Sequence, residues 1–137
     1  MSRWMALDVG SKTIGVAITD PLRVTVRPLK TLIRDGLDTD AERIGELIDE
    51  LCIERLVVGL PRHLGGERST IADLIEPLVK LLEQTVEIPM ASAEERLSTK
   101  EAERLMAEAD LPLAERRKRR NEFAAAVILK WYLEESR

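Results

Sequence analysis

Short apolar stretches dominate the first third of the chain and are typical of β-strands. Residues 4–19, WMALDVGSKTIGVAIT, are rich in Val, Ile, Ala and Leu, and they predict two strands joined by a tight turn. Residues 22–33, LRVTVRPLKTLI, alternate loosely between apolar and polar positions and predict a third, antiparallel strand. Pro28 in that segment indicates an edge strand or a bulge, because proline lacks the N–H that a central strand donates.

The next stretch changes to helical spacing. Residues 39–53 place aliphatic side chains three and four positions apart, so they predict an amphipathic helix with Asp38 or Thr39 as its N-cap. The apolar run LVVGL at residues 56–60 then predicts a strand that is buried on both faces, as strands of parallel sheets are.

The second half of the chain continues with alternating helices and strands. A helix capped by Ser69 or Thr70 is expected to run to about Gln84, with a kink or a broken turn at Pro77. Residues 85–90, TVEIPM, predict a short strand after it.

Two further helices complete the predicted order β-β-β-α-β-α-β-α-α. Ser98 or Thr99 is expected to cap the first of them, and the second spans residues 121–135 with a wide apolar stripe. This order predicts one domain over residues 1–137, with an α/β fold. Its mixed five-stranded sheet combines a three-strand antiparallel meander with parallel strands, and helices cover both faces.

The composition is that of a soluble globular protein. Hydrophobic residues make up 45% of the chain and charged residues 34%, and no apolar run is long enough for a membrane span. The N-terminus lacks the charged-then-apolar pattern of a signal peptide, so we expect a cytoplasmic protein. Cys52 is the only cysteine, which excludes an internal disulfide and a cysteine metal cluster, and we expect it to be buried.

Charge is unevenly distributed along the chain. The net charge of −4 alone argues against a nucleic-acid partner, but a consecutive basic run stands apart from the acidic segments. The run consists of Arg116, Arg117, Lys118, Arg119 and Arg120. It is either a solvated segment or, if it lies beside a catalytic site, a surface that contacts phosphates.

Asp8 is the one carboxylate inside the first apolar stretch. Strands disfavour aspartate, and a buried carboxylate needs a metal ion or a basic group as its partner, unless Asp8 is a turn residue ahead of Gly10. The predicted topology lets Asp8 approach Glu94 or Glu95 at a strand-to-helix junction. Converging carboxylates are the oxygen ligands that Mg²⁺ and Mn²⁺ bind, and two such ions about 3.5–4 Å apart can promote hydrolysis of a phosphodiester.

The loop of residues 59–69, GLPRHLGGERS, follows the predicted buried strand, at the end where α/β proteins usually bind ligands. His63 in this loop is the only histidine, and a lone loop histidine is more often a surface residue than a ligand or a base. Gly65 and Gly66 are expected to give the loop mobility.

Four motifs stand in order along the chain: ALDVGSKTIGVAITD, VVGLP with a glycine-rich loop after it, EERLST and NEFAAAVIL. Together they resemble the YqgF/RuvX family, described as Holliday junction resolvases and as nucleases that trim precursor small-subunit ribosomal RNA. The resemblance covers essentially the whole chain and implies a ribonuclease H-like fold whose carboxylates hold Mg²⁺ or Mn²⁺. Asp8 matches the acidic residue of the family's first strand. Glu95 matches the Glu of the family's Asp-Glu-Arg-Leu motif, and Glu94 occupies the Asp position.

Asn121 departs from the family pattern, which has an Asp at the opening of the last helix. An amide oxygen can coordinate a divalent ion, but it brings no charge and binds less strongly. The resemblance therefore leaves three interpretations: Asn121 is a neutral ligand, Glu122 reaches into the site instead, or catalysis is weakened. Asn121 is also a good N-cap for the helix predicted to begin there.

The resemblance further implies that Lys12 and the basic run of residues 116–120 contact phosphates. Arg96, beside Glu95, contacts the substrate or forms an ion pair with a neighbouring acid. The partners expected on this basis are structured RNA or branched DNA, pre-ribosomal particles among them, with the protein acting as a monomer or a homodimer.

The implied function is a divalent-metal-dependent nuclease that processes the 5′ end of precursor small-subunit rRNA. The resemblance leaves open a Holliday junction resolvase in DNA recombination and repair, and a non-catalytic RNA-binding ribosome-assembly factor. The segment DVGSKTIG also resembles the first phosphate loop of actin-like kinases and chaperones, but those proteins bind nucleotide between two such domains and this chain supplies one.

Overall fold

A mixed five-stranded sheet with helices on both faces forms the core of the chain. The computed structural model describes residues 2–61, 68–95 and 98–136, with the backbone alone at residues 60–61, 68–74, 94–95 and 98–99. The elements in chain order are β1 (Arg3–Val9), β2 (Thr13–Thr19), β3 (Val26–Ile33), α1 (Leu37–Glu50), β4 (Ile53–Pro61), α2 (Arg68–Thr85), β5 (Met90–Glu95), α3 (Ser98–Glu108) and α4 (Leu113–Ser136).

The strands lie in the order β3-β2-β1-β4-β5. Strands β1, β2 and β3 pair antiparallel, whereas β4 pairs parallel with β1 and with β5. The register between β2 and β3 shifts between Val16 and Ala17, next to Pro28, which lies on the edge strand as the sequence predicted. The mixed sheet of a meander plus parallel strands is therefore confirmed.

Helices cover the two faces of the sheet unequally. Large aliphatic side chains of β1, β2 and β4 pack against α1 and α2 on one face. On the other face α4 packs directly on the sheet, and α3 packs on α4. Because α4 lies between the sheet and α3, residues 122–129 are buried all round the helix. None of the described helices is long and apolar enough to cross a membrane.

The third strand begins later than predicted, at Val26, because Asp20 organises the preceding turn. Its carboxylate accepts backbone N–H groups from Leu22 at 3.2 Å and from Val24 and Thr25 at 2.7 Å each. These hydrogen bonds, that from Thr25 first, lower the pKa of Asp20 because they favour the ionised form. Residues 20–25 are thereby kept out of the strand.

Helix α1 is not capped by Asp38 or Thr39. It begins at Leu37 after Gly36, whose φ of 118° suits glycine and whose position offers no side-chain cap. The buried Asp40 in the first turn instead holds the segment before the helix, since its carboxylate accepts the N–H of Asp35 at 2.9 Å.

The fifth strand spans Met90–Glu95 and not residues 85–90. Thr85 is the last residue of α2, and the ladder to β4 begins where Leu56 pairs with Met90. Pro89 precedes the strand, and its carbonyl accepts the N–H of Leu56 at 3.0 Å. Proline lacks a donor N–H but keeps its carbonyl, so it opens this strand instead of closing one.

Two smaller expectations are also wrong, and a third is wrong in part. Cys52 is exposed, in the turn with φ of 55° that follows α1. Helix α2 continues through Pro77 without a broken turn, whereas a kink at Pro77 stays a prediction. The Ser and Thr residues proposed as caps of α2 and α3 lie within those helices, since each helix begins at or before them.

Candidate metal and nucleic-acid site

Asp8 lies in the centre of the sheet, inside β1 and not in the turn that follows it. Its backbone pairs with Gly15 of β2 on one side and with Gly59 of β4 on the other. Because Ala6 packs on α4, the alternation of a strand places Asp8 on the same face. Asp8 is only 8% exposed, and its two neighbours in this row are glycines. The interpretation of Asp8 as a turn residue is therefore wrong.

Helix α4 crosses this row of the sheet at Gly15. A Cβ atom on Gly15 would lie 2.0 Å from the carbonyl oxygen of Asn121 and 2.5 Å from the backbone nitrogen of Glu122. Only glycine lets the two backbones approach this closely. The contact places Asn121 and Glu122 directly over the strand next to Asp8.

Asn121 extends toward the turn between β1 and β2. Its Nδ2 donates a hydrogen bond to Oγ1 of Thr13 at 2.6 Å, and it lies 3.4 Å from where a Cβ of Gly10 would be. Asn121 is not an N-cap, because α4 already begins at Leu113. The basic residues before Asn121 extend the helix backwards, since arginine and lysine are good helix formers.

Glu122 extends to the opposite side of Gly15. Its carboxylate accepts a hydrogen bond from Oγ1 of Thr31 on β3 at 2.9 Å, and it forms an ion pair with Nε of Arg119 at 2.5 Å. Thr31 pairs with Gly15 on the side away from β1. Glu122 is 4% exposed and is held at this place. The structure thus brings Asn121, and not Glu122, to the turn that follows Asp8.

Strand β5 carries the second predicted acid. Ala93 pairs with Gly59, the neighbour of Asp8, and Glu95 is the last residue of the strand, with its backbone paired to Pro61. The side chains of Glu94 and Glu95 lie outside the described part of the chain. Among the side chains that are described, no three acidic, histidine or cysteine groups gather into a cluster. Arg96, His63 and the two loop glycines also lie outside the described residues.

Lys12 is exposed in the turn between β1 and β2, next to Thr13. A residue that the sequence analysis missed holds this turn: Arg34 donates its backbone N–H to the Lys12 carbonyl at 2.9 Å and its guanidinium to the Gly10 carbonyl at 3.1 Å. Its guanidinium is itself paired with the buried Asp40 at 3.2 Å. This pair fastens the turn to the start of α1.

The basic run lies in the early turns of α4 and divides into two groups. Three of its arginines have partners within the protein, Leu111 for Arg116, Glu122 for Arg119 and Glu103 for Arg120. Arg117 and Lys118 are exposed. They are the two exposed side chains of the run, whereas the other three are half-buried.

A family model described as "RuvX: Holliday junction resolvase" matches residues 2–135. The chain belongs to the RuvX family. Relatives named "Putative pre-16S rRNA nuclease" include one from Desulforamulus reducens, 37% identical over 132 residues that cover 96% of each chain. Another, from Moorella thermoacetica, is 41% identical over 132 residues, 96% of this chain and 94% of the relative.

Two solved structures resemble this RuvX protein along its whole length. T. thermophilus RuvC in complex with a Holliday junction substrate has a TM-score of 0.59 at 13% identity and covers 97% of this chain and 96% of its own. Fowlpox virus resolvase in complex with Holliday junction DNA has a TM-score of 0.57 at 10% identity, with 98% of each chain covered. At such identities the likeness concerns the fold alone, and it confirms the predicted ribonuclease H-like fold.

The structure brings part of the predicted set to one end of the central strands. Asp8, Lys12 and Asn121 lie at or next to the turn between β1 and β2, whereas Arg116, Arg119 and Arg120 have partners elsewhere. Thr13 and Thr31, which orient the two polar residues of α4, were not singled out from the sequence. A threonine in a strand is ordinary, so no sequence signal marks them.

Proposed function

We propose that this RuvX protein is a divalent-metal-dependent nuclease that processes the 5′ end of precursor small-subunit rRNA. The observation that carries the proposal is the position of Asp8, buried in the central strand between Gly15 and Gly59, with Asn121 brought to the same end by α4. The names of the relatives support RNA as the substrate. In this proposal the protein works on pre-ribosomal particles in the cytoplasm.

The donor set suits a hard cation. Asp8 offers a buried carboxylate, and the residues paired with it on the two neighbouring strands are the glycines Gly15 and Gly59. Asp8, Glu95 and Asn121 would hold Mg²⁺ or Mn²⁺ through oxygen atoms, which both ions prefer. When bound, such an ion supplies an activated water and stabilises the leaving oxygen of a phosphodiester.

Thr13 orients the amide of Asn121 for this role. Because Nδ2 donates to Oγ1 of Thr13, the amide oxygen is the atom that would bind a cation in this proposal. Lys12, Arg117 and Lys118 are the exposed cations that contact substrate phosphates in this proposal, with Arg96 beside Glu95. Binding should weaken steeply with added salt, since each phosphate contact releases counterions.

A second candidate is the resolution of four-way DNA junctions. The description of the family model and the junction DNA in the two similar structures favour it. Symmetric cutting of a junction would favour a homodimer. A third candidate, an RNA-binding assembly factor without catalysis, is favoured by the neutral Asn121 in place of a carboxylate.

Cleavage of two labelled substrates in Mn²⁺ or Mg²⁺ tests the proposal, one an RNA with an unprocessed small-subunit 5′ end and one a four-way DNA junction. We expect metal-dependent cutting of the RNA that Asp8→Asn reduces by about 100-fold or more, because the substitution removes a charged ligand. Asp110→Asn is the matched control. It removes an exposed carboxylate at a φ of 57°, a conformation that asparagine adopts readily.

Each outcome distinguishes the candidates. Cutting of the junction alone would select the resolvase. Equal inactivity of wild type and Asp8→Asn, with RNA binding retained, would refute the nuclease and select the assembly factor.

Asn121→Asp is expected to lower the Mn²⁺ concentration needed for half-maximal cleavage. The hydroxyl of Thr13 can reverse its role and donate to the new carboxylate, so the contact of 2.6 Å is kept while a negative charge is added. The measurement is cleavage rate against Mn²⁺ concentration for the two proteins. An unchanged or higher requirement would show that residue 121 is not a ligand.

A further inference from the structure

A groove of about 870 Å³ lies between α1 and the end of α2, away from the candidate metal site. Its floor is apolar and is formed by Ala41, Ile48, Ile53, Val86 and Ile88. Ile53 is the first residue of β4 and pairs with Arg3 at the start of β1, whereas Gly59 of the same strand pairs with Asp8. At about 3.3 Å per residue, residues 53 and 59 are roughly 20 Å apart.

Carboxylates line the rim of this groove. They are Asp38, Glu42, Glu46, Asp49 and Glu87, and all five are exposed. The four on α1 recur every three or four residues, so they form one stripe about 16 Å long on the helix. Within the described part of the chain, no ion pair joins any of the five to a lysine or an arginine.

Gly45 lines the same groove in the middle of α1. A glycine inside a helix destabilises it relative to alanine. Nothing in the described chain lies within 4 Å of where its Cβ would be, so no internal packing requires a glycine here. The missing side chain instead deepens the groove at its centre and lets another backbone approach.

We propose that this groove binds a lysine- and arginine-rich amphipathic helix of a partner protein. The apolar floor accepts the apolar face of such a helix, and the acidic stripe of α1 pairs with its flanking cations at matching helical spacing. The same carboxylates repel the phosphates of a nucleic acid. The occupant is therefore a cationic protein segment, and it binds while the Asp8 end of the sheet stays free for a substrate.

Cys52 is an exposed, single thiol that lines the groove and serves as a reporter. The probe is a synthetic 18-residue helix with leucines on one face and lysines on the other, compared with a scrambled peptide of the same composition. Fluorescence anisotropy of the labelled peptides measures binding to the full chain at physiological salt. The rate at which Cys52 reacts with a chromogenic disulfide measures occupancy of the groove.

We expect the amphipathic probe to bind and to slow the reaction of Cys52, and the scrambled peptide to do neither. Glu42→Gln with Glu46→Gln should weaken binding by about tenfold, because two ion pairs at the rim of the groove are lost. Gly45→Leu should abolish it by filling the groove. Glu134→Gln with Glu135→Gln, two exposed acids at the end of α4, is the matched control and should leave binding unchanged.

Several results would overturn the proposal. The proposal fails if the amphipathic probe does not bind, or if the scrambled peptide binds equally well. It also fails if the control variant loses as much binding as Glu42→Gln with Glu46→Gln. Concentration-dependent self-association that Gly45→Leu abolishes would assign the groove to a second copy of this chain instead. Cleavage by the rim variants is expected to equal that of wild type, so this test stands apart from the proposed nuclease activity.

Discussion

The two faces of the sheet differ in the size of the side chains that pack on them. The face toward α1 and α2 is built from large aliphatic residues, among them Met5, Leu7 and Ile14. The face toward α4 is built largely from small ones, for which Ala6 and Ala17 are typical. Glycines 15 and 59 belong to this second face as well.

This difference gives the two faces different roles, one in stabilising the fold and one in positioning the residues of the candidate site. Large side chains fill the space between sheet and helix, and they keep the backbones of the two layers apart. Small residues let the backbone of α4 touch the sheet at Gly15, so the place of Asn121 depends on a backbone contact and not on a flexible side chain. One face holds the largest apolar cluster, whereas the other positions the residues of the candidate site.

Leu7→Ala tests the first face and should have the largest effect on stability. Leu7 is fully buried against the helices opposite the site, so we expect a loss of about 2–5 kcal/mol in the free energy of unfolding, measured with urea. Ile33→Ala, at a residue 71% exposed, is the control and should change it by less than about 0.5 kcal/mol. Cleavage per folded molecule should be unchanged. A loss of cleavage beyond the unfolded fraction would contradict the division between the faces.

Gly15→Ala tests the second face and should affect stability and cleavage together. The new Cβ would meet the backbone of Asn121 and Glu122, which cannot rotate away, so we expect a loss of about 1–3 kcal/mol and a displaced α4. The requirement for Mn²⁺ should rise as Asn121 moves. The matched control is Gly45→Ala, where the Cβ meets nothing, and it should stabilise the protein by about 0.5–1 kcal/mol. Wild-type stability in Gly15→Ala would show that the close approach is not needed.

The order of the helices and strands could be predicted from the sequence, because the spacing of apolar residues that marks each element extends over only a few neighbouring positions. The helix at Ile44 and Leu47 and the first two strands follow from spacing within a few residues. The early start of α4 was missed because its first turns carry a basic run with no apolar stripe to mark them. The strand at Met90 was misplaced because proline can precede a strand as well as follow one.

The candidate site was only partly predictable. Asp8 is visible as a carboxylate in an apolar stretch, and Asn121 came from the resemblance to a family. Their surroundings depend on contacts between distant parts of the chain: the bond from Asn121 to Thr13 joins residues 108 positions apart. Neither that pairing nor the opposite placement of Glu122 follows from local pattern, because both depend on where α4 crosses the sheet.

Gly59→Ala should have the smallest effect on the free energy of unfolding. It tests whether the close approach at Gly15 is limited by backbone or by side chains. Its Cβ would lie 2.5 Å from Cδ1 of Ile128, the far end of a flexible side chain that can move, so we expect a change of less than about 1 kcal/mol. Ile128→Val removes that methyl group and should make Gly59→Ala more favourable, with a coupling of about 0.5 kcal/mol or more in a double-mutant cycle. The same second substitution should not rescue Gly15→Ala, since the obstacle there is backbone. If Ile128→Val rescued both glycine variants equally, the α4 face would be limited by side-chain packing alone, and backbone contact would no longer explain how Asn121 is placed.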